Sequence, residues 1–160
     1  MSAPHRLAVL PEELAAHLRA RGIEIRDEDA RRAQAHAISP HGTEAAGRRP
    51  LSKRLRAAIA DLTDDRRLEV LERATDPSDR FVKVLLRSPD GALHEAVRIP
   101  LKKEGAFSVC LSSQVGCAMA CTFCATGRLG LTRNLEAWEM VAAFMTVRDE
   151  APGIVTGAVF

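Results

Sequence analysis

The sequence predicts an α/β protein: a small helical N-terminal module, a β-hairpin, and then one β-α-β unit that opens a parallel sheet or barrel. Three patterns point there. Apolar residues recur at helical spacing through the first half of the chain. Two alternating runs flank the turn sequence Ser88-Pro89-Asp90-Gly91. A strand-like run, a cysteine-rich loop, a helical stripe and a final apolar run then follow one another to Phe160.

The elements follow in order. Pro11 suits the first turn of a helix, Glu12 and Glu13 favour its positive end, and Gly22 ends it. Asp27 is placed to cap a second helix toward Ile38. Residues 39–50, with Gly42, Gly47 and two prolines, read as a loop. Leu51, Leu55, Ala58, Ile59 and Leu62 share one helical face. Thr63, before Asp64 and Asp65, predicts the cap of another helix through Ala74. The pattern changes at Asp76-Pro77, which divides a helical module over 1–76 from the remainder, 77–160. Strands are predicted over 81–87 and 92–99, joined by a type I turn and ended by Pro100. Residues 107–112 form a third strand. Asn134 is placed to cap a helix with Trp138, Val141, Ala142 and Met145 as its buried stripe. Pro152-Gly153 precedes a strand over 154–160. A parallel strand needs neighbours and helices on both faces. None follow, so the sequence is expected to be the N-terminal part of a longer protein, or a truncated product.

Composition narrows the class. Hydrophobic residues make up 46%, as in a globular protein, and a net charge of +2 is too balanced to imply nucleic acid by itself. No apolar run is long enough to span a membrane, and the N-terminus lacks a signal-peptide core. All four cysteines fall between Cys110 and Cys124, unlike a secreted disulfide scaffold, so a reducing cytoplasmic location is expected.

Cys117, Cys121 and Cys124 stand at the spacing C-x3-C-x2-C. Three thiolates can hold a 4Fe-4S cubane but ligate only three of its irons, whereas electron-transfer clusters take four cysteines. The open iron is where S-adenosylmethionine is chelated in radical chemistry. A structural zinc site is the alternative, but it usually shows two ligand pairs. Here Cys110 is the only nearby fourth thiol, and the last histidine is His94. Unpaired core thiols are the third reading.

Glu95 stands out for another reason. In its predicted strand Leu93, Val97 and Ile99 share its face, while His94 and Arg98 point the other way. A carboxylate on an apolar face is costly unless paired or used, and desolvation there would raise its pKa toward that of a useful base. A solvated edge-strand glutamate is the alternative.

The run from Val109 through Ser112-Ser113-Gln114-Val115-Gly116-Cys117 to Cys124-Ala125-Thr126-Gly127, with Arg133-Asn134-Leu135 before a helix, resembles the RlmN/Cfr family. These are radical S-adenosylmethionine methyltransferases of an adenine in large-subunit ribosomal RNA, some of which also act on transfer RNA. The resemblance is strongest from about Glu95 to Phe160. It makes the β-α-β unit the start of a radical SAM (β/α) partial barrel, truncated here. It implies Cys117, Cys121 and Cys124 as cluster ligands and Phe123 as the aromatic beside the cofactor adenine, where packing alone would be the plain role. It implies that Cys110, otherwise a buried strand thiol, pairs with a second cysteine in a disulfide that helps release product. Glu95, in Glu-x-Val-x-Ile-Pro, matches the proton-accepting glutamate, although the link from Pro100 to Cys110 is longer than the family's. It further implies carbon 2 of adenine as the target, an electron donor such as flavodoxin, and a monomer at full length. The family's methyl-carrying cysteine and glycine-rich cofactor segment are absent from these 160 residues, so the chain alone is expected to be inactive. Alternatives are carbon 8 methylation, another radical SAM reaction, or a non-catalytic metal-binding fragment. RNA contact is also suggested by Arg48, Arg49, Lys53, Arg54 and Arg56, although a solvated helix face gives the same pattern.

Overall fold

The computed structural model describes residues 3–39 and 50–160. The chain forms two compact units that divide between Arg66 and Arg67, earlier than the expected boundary at 76. The loop expected over 39–50 lies, apart from its ends, outside the described residues.

The first unit is helical. Helix α1 spans Pro11–Arg19, α2 Asp27–Ala37 and α3 Lys53–Leu62. Pro11 occupies the first turn of α1, and the Glu13 carboxylate accepts the Leu10 N–H at 2.9 Å, satisfying an orphan donor of that turn. In α2, Arg26 takes the cap position; Asp27 is already helical, where its charge suits the positive end of the helix. Ser52 caps α3 by accepting the Leu55 N–H. Val9, Leu14, Leu18, Ile25, Leu55 and Ile59 are buried together between the helices. The face predicted for α3 is thus the one that packs.

The second unit departs from expectation at once. Residues 64–74 do not form a helix: Glu69–Thr75 is a strand, β1. Thr63, the expected cap, instead donates its hydroxyl to the Ile59 carbonyl at 2.6 Å, and the Asp64 carboxylate accepts from the Arg66 N–H and guanidinium. The segment pairs with the free edge of β2, so tertiary pairing overrides local propensity. Strand β2 spans Val82–Arg87 and β3 Leu93–Pro100. Their turn closes as predicted, the Gly91 N–H donating to the Ser88 carbonyl at 2.9 Å. Strand β4 (Ala106–Leu111) pairs antiparallel with β3. A short ladder of β5 (Gln114–Gly116) and β6 (Leu131–Asn134) brackets the cysteine loop, which holds the single-turn helix α4 (Ala125–Arg128). Helix α5 (Ala137–Asp149) crosses over to β7 (Ile154–Val159), which lies parallel to β4. The sheet order is β1-β2-β3-β4-β7.

One face of this sheet packs on α5: Val84, Leu86, Ala96, Val109 and Leu111 meet Ala143 and Val147. The phase of α5 differs from expectation. Trp138 is buried, but its buried partners are Glu139, Ala143 and Val147, while Val141, Ala142 and Met145 are only partly covered. Glu136, not Asn134, occupies the cap position; Asn134 ends β6. An almost wholly apolar helix carries little phase information, so its anchoring decides which side turns inward.

Candidate cluster-binding site

The cysteine loop leaves the C-terminal end of β4, where α/β folds place their ligands. The Cys117 N–H donates to the Gly130 carbonyl at 3.0 Å and closes the loop at its base. Inside it the Cys124 N–H donates to the Cys121 carbonyl at 3.1 Å. Two glycines make this packing sterically feasible. A Cβ on Gly116 would lie 1.8 Å from the Gly130 oxygen, and Gly116 has φ +75°. A Cβ on Gly127 would lie 2.8 Å from the Cys121 oxygen and 2.9 Å from its nitrogen. Val-Gly-Cys and Cys-Ala-Thr-Gly are therefore packing requirements as well as a signature.

The three thiols are free and partly exposed. Among the described residues no three His, Cys, Asp or Glu side chains close on one point as ligands of a single ion would. A cubane places a different demand, since each thiolate binds its own iron. Three free thiols in one loop, with no histidine among them, match the donor chemistry of a cluster better than that of a tetrahedral zinc site. Phe123 is 90% exposed in this chain and belongs to neither of its hydrophobic cores. Met119 and Leu129 stand exposed in the same loop.

Glu95 requires a correction. The face it shares with Leu93, Val97 and Ile99 is the one α5 leaves open; the covered face carries Ala96 and His94. Its carboxylate is half exposed, with Lys83 Nζ at 3.4 Å, so the burial inferred from the alternation is absent from this unit. A mixed sheet can expose aliphatic residues on one face, and alternation does not say which face is covered. The register does bring Glu95 near Cys110. Cys110 pairs with Val97, two residues along β3, and projects from the same face.

A buried polar node escaped the sequence reading. Glu139, 1% exposed, accepts two bonds from the Arg133 guanidinium at 2.8 and 2.9 Å. It also accepts the Glu136 N–H at 2.6 Å and the Ser88 hydroxyl. Arg133 Nε donates to Asp90 at 2.7 Å. Burial alone would push the Glu139 carboxyl up, but the bonds from Arg133, Ser88 and Glu136 outweigh it and hold it down at about 2. Glu139, with Asp90, raises Arg133 above its ordinary value. The node ties the strand leaving the cysteine loop to the hairpin turn and to the start of α5. His94 lies buried nearby, its ring nitrogens without a hydrogen-bond partner among the described residues, and burial lowers its pKa. The Arg133-Asn134-Leu135 motif was the available signal; Glu139 itself looked like any surface glutamate.

No protein-family model matches the chain. A probable RNA methyltransferase of Sorangium cellulosum is 45% identical over 151 residues, which is 93% of this chain and 37% of that protein. A probable dual-specificity RNA methyltransferase RlmN of Nostoc is 45% identical over 109 residues, 68% of this chain and 30% of its own length. The crystal structure of a radical SAM methyltransferase from Sphaerobacter thermophilus superposes with a TM-score of 0.78 at 31% identity, covering 98% of this chain and 46% of that one. The chain is RlmN/Cfr-like. It spans less than half the length of each of these three proteins. Among the described residues no helix is long and apolar enough to cross a membrane.

Proposed function

We propose that this chain is the cluster-binding part of a radical S-adenosylmethionine methyltransferase that acts on carbon 2 of an adenine in large-subunit ribosomal RNA, and on transfer RNA. The observation that carries the proposal is the C-x3-C-x2-C loop at the C-terminal end of β4, held by glycines whose replacement would clash. Cys117, Cys121 and Cys124 would hold a 4Fe-4S cluster, with S-adenosylmethionine on the remaining iron. Once bound and reduced, the cluster would supply the electron that breaks a carbon–sulfur bond of the S-adenosylmethionine.

The chain's own residues then have distinct tasks. The loop presents Phe123 as an exposed flat apolar surface for the cofactor adenine. The Glu95 carboxylate takes a proton from the RNA base, and the nearby Lys83 ammonium helps hold that carboxylate in place. The Cys110 thiol, on the same open face, is one half of the product-releasing disulfide. Its partner and the methyl-carrying cysteine have no counterpart after Cys124 within these 160 residues. Residues 1–160 alone are therefore expected to bind a cluster without methylating RNA. A flavodoxin-like donor supplies the electron, and the full-length protein works as a cytoplasmic monomer.

The test uses a protein of the relatives' length carrying this chain, reconstituted anaerobically and given reductant, S-adenosylmethionine and RNA. Nucleoside mass spectrometry should find 2-methyladenosine. Appearance of 8-methyladenosine would reassign the position, and no methylated adenosine despite an intact cluster would refute the RNA reading.

A further inference from the structure

The helical unit carries a pocket that the chemistry above does not use. It has a volume of about 180 Å³ and lies between the N-terminal segment, α2 and the start of α3, lined by Arg6, Ala33, His36, Leu51, Arg56 and Ile59. Its apolar wall belongs to the core: Ala33 and Ile59 are buried, and Leu51 packs against them. Its polar wall is cationic or potentially so, through Arg6, Arg56 and His36. Elsewhere in the unit Arg19, Arg26, Arg32 and Arg66 each pair with an aspartate, whereas Arg21, Arg31 and Arg54 lie outside the pocket and pair with no carboxylate among the described residues. Arg6 and Arg56 have no carboxylate partner among the described residues.

Two guanidinium groups with no carboxylate partner among the described residues, and an imidazole, over an aliphatic floor suit a ligand that is anionic at its edge and flat and apolar in its body. Guanidinium groups bind phosphate oxygens in pairs. The volume decides how much enters. It falls below the roughly 300–1,000 Å³ of pockets that enclose drug-sized ligands. One base or sugar fits, and the remainder must run outside. Lys53 and Arg54 stand exposed on the helix that carries Arg56, which favours a phosphate polymer over an acyl chain.

We infer that Arg6, His36 and Arg56 form an RNA-anchoring subsite that seats one unstacked nucleotide of a single-stranded segment, its base or sugar on Ala33, Leu51 and Ile59 and its flanking phosphates on the arginines. This rests on the RNA reading of the protein and gives the helical unit a role in holding substrate.

The test is fluorescence anisotropy of a short labelled single-stranded RNA with the 160-residue chain across a salt series. Arg6→Ala/Arg56→Ala should weaken binding about tenfold or more. It should lower the slope of log affinity against log salt by about 1.4, from two contacts at ~0.7 each. Arg6→Lys/Arg56→Lys should keep that slope, and Lys53→Ala/Arg54→Ala should cost less than the pocket pair. Inorganic polyphosphate should compete less well than RNA. Equal losses from both alanine pairs, equal competition by polyphosphate, or tighter binding to anionic lipid vesicles would each overturn the subsite. Unchanged binding by Arg6→Ala/Arg56→Ala would overturn it while leaving the RNA reading intact. No RNA binding by the unaltered chain, with cluster assembly retained, would count against both.

Discussion

Glu139 shows what one residue can hide. A glutamate in the first turn of a helix is ordinarily read as solvated and favourable to the helix dipole. Here it is buried, and Arg133, six residues upstream, together with Ser88 and the Glu136 N–H, makes that tolerable. Replacing it with Gln keeps the shape and leaves the Arg133 guanidinium half paired. Removing one partner of a buried pair costs about 3–5 kcal/mol. Glu139→Gln should therefore lower the unfolding free energy by about 3 kcal/mol, measured in urea through Trp138, the chain's one tryptophan. A change within the error of the measurement would show that the node is dispensable. Glu95 teaches the converse. Alternation correctly told which residues share its face but not which face is covered. Its assigned task comes after radical generation, so in a full-length protein Glu95→Gln should keep cluster and cofactor cleavage while slowing product formation. Unchanged turnover would return Glu95 to the role of a solvated partner of Lys83.

At the scale of elements, the cysteine loop was legible because its chemistry lies in residue type and spacing. The reason for its glycines was not, since close backbone approach cannot be read from a sequence without coordinates. Gly127→Ala places a methyl carbon 2.8 Å from the Cys121 carbonyl oxygen, a backbone neighbour with little freedom to yield. It should cut iron incorporation severalfold while leaving the circular dichroism spectrum of the chain nearly unchanged. Full iron content would mean that the loop relaxes around the extra carbon. The hairpin was legible for a similar reason: Pro89 and Gly91 are local signals for a local turn. Strand β1 was not. Residues 69–75 mix charged and apolar side chains and become a strand only because β2 offers a free edge. The phase of α5 was lost because its anchor, Arg133, sits outside the helix.

At the scale of the whole chain, the succession from helices to strand, loop, helix and strand was readable from periodicity. The compact units divide at Arg66/Arg67 and not at 76, because residues 69–75 pair as a strand with β2. The chain should also carry a pH dependence set in its second unit. His94 has its pKa lowered by burial, so its contribution is full above about pH 6.5 and lost as pH falls through the lower folded value. Glu139 is likewise depressed, from 4.5 to about 2, so its contribution is lost between those values. Both act in one direction. Stability of the second unit should fall on acidification, beginning below about pH 6.5 and steepening below 4.5. Urea midpoints at a series of pH values check this, and a midpoint flat from pH 7 to pH 4 would contradict it.

Radical chemistry in this protein depends on the three thiols of one loop binding a cluster. Anaerobic reconstitution of the chain with iron and sulfide, followed by metal analysis and visible spectroscopy, tests this most directly. About four irons per chain are expected, the stoichiometry of a cubane. That iron should be lost from Cys117→Ala, Cys121→Ala and Cys124→Ala and retained by Cys110→Ala. One zinc per chain with no iron uptake, or iron that survives all three loop substitutions, would contradict the account.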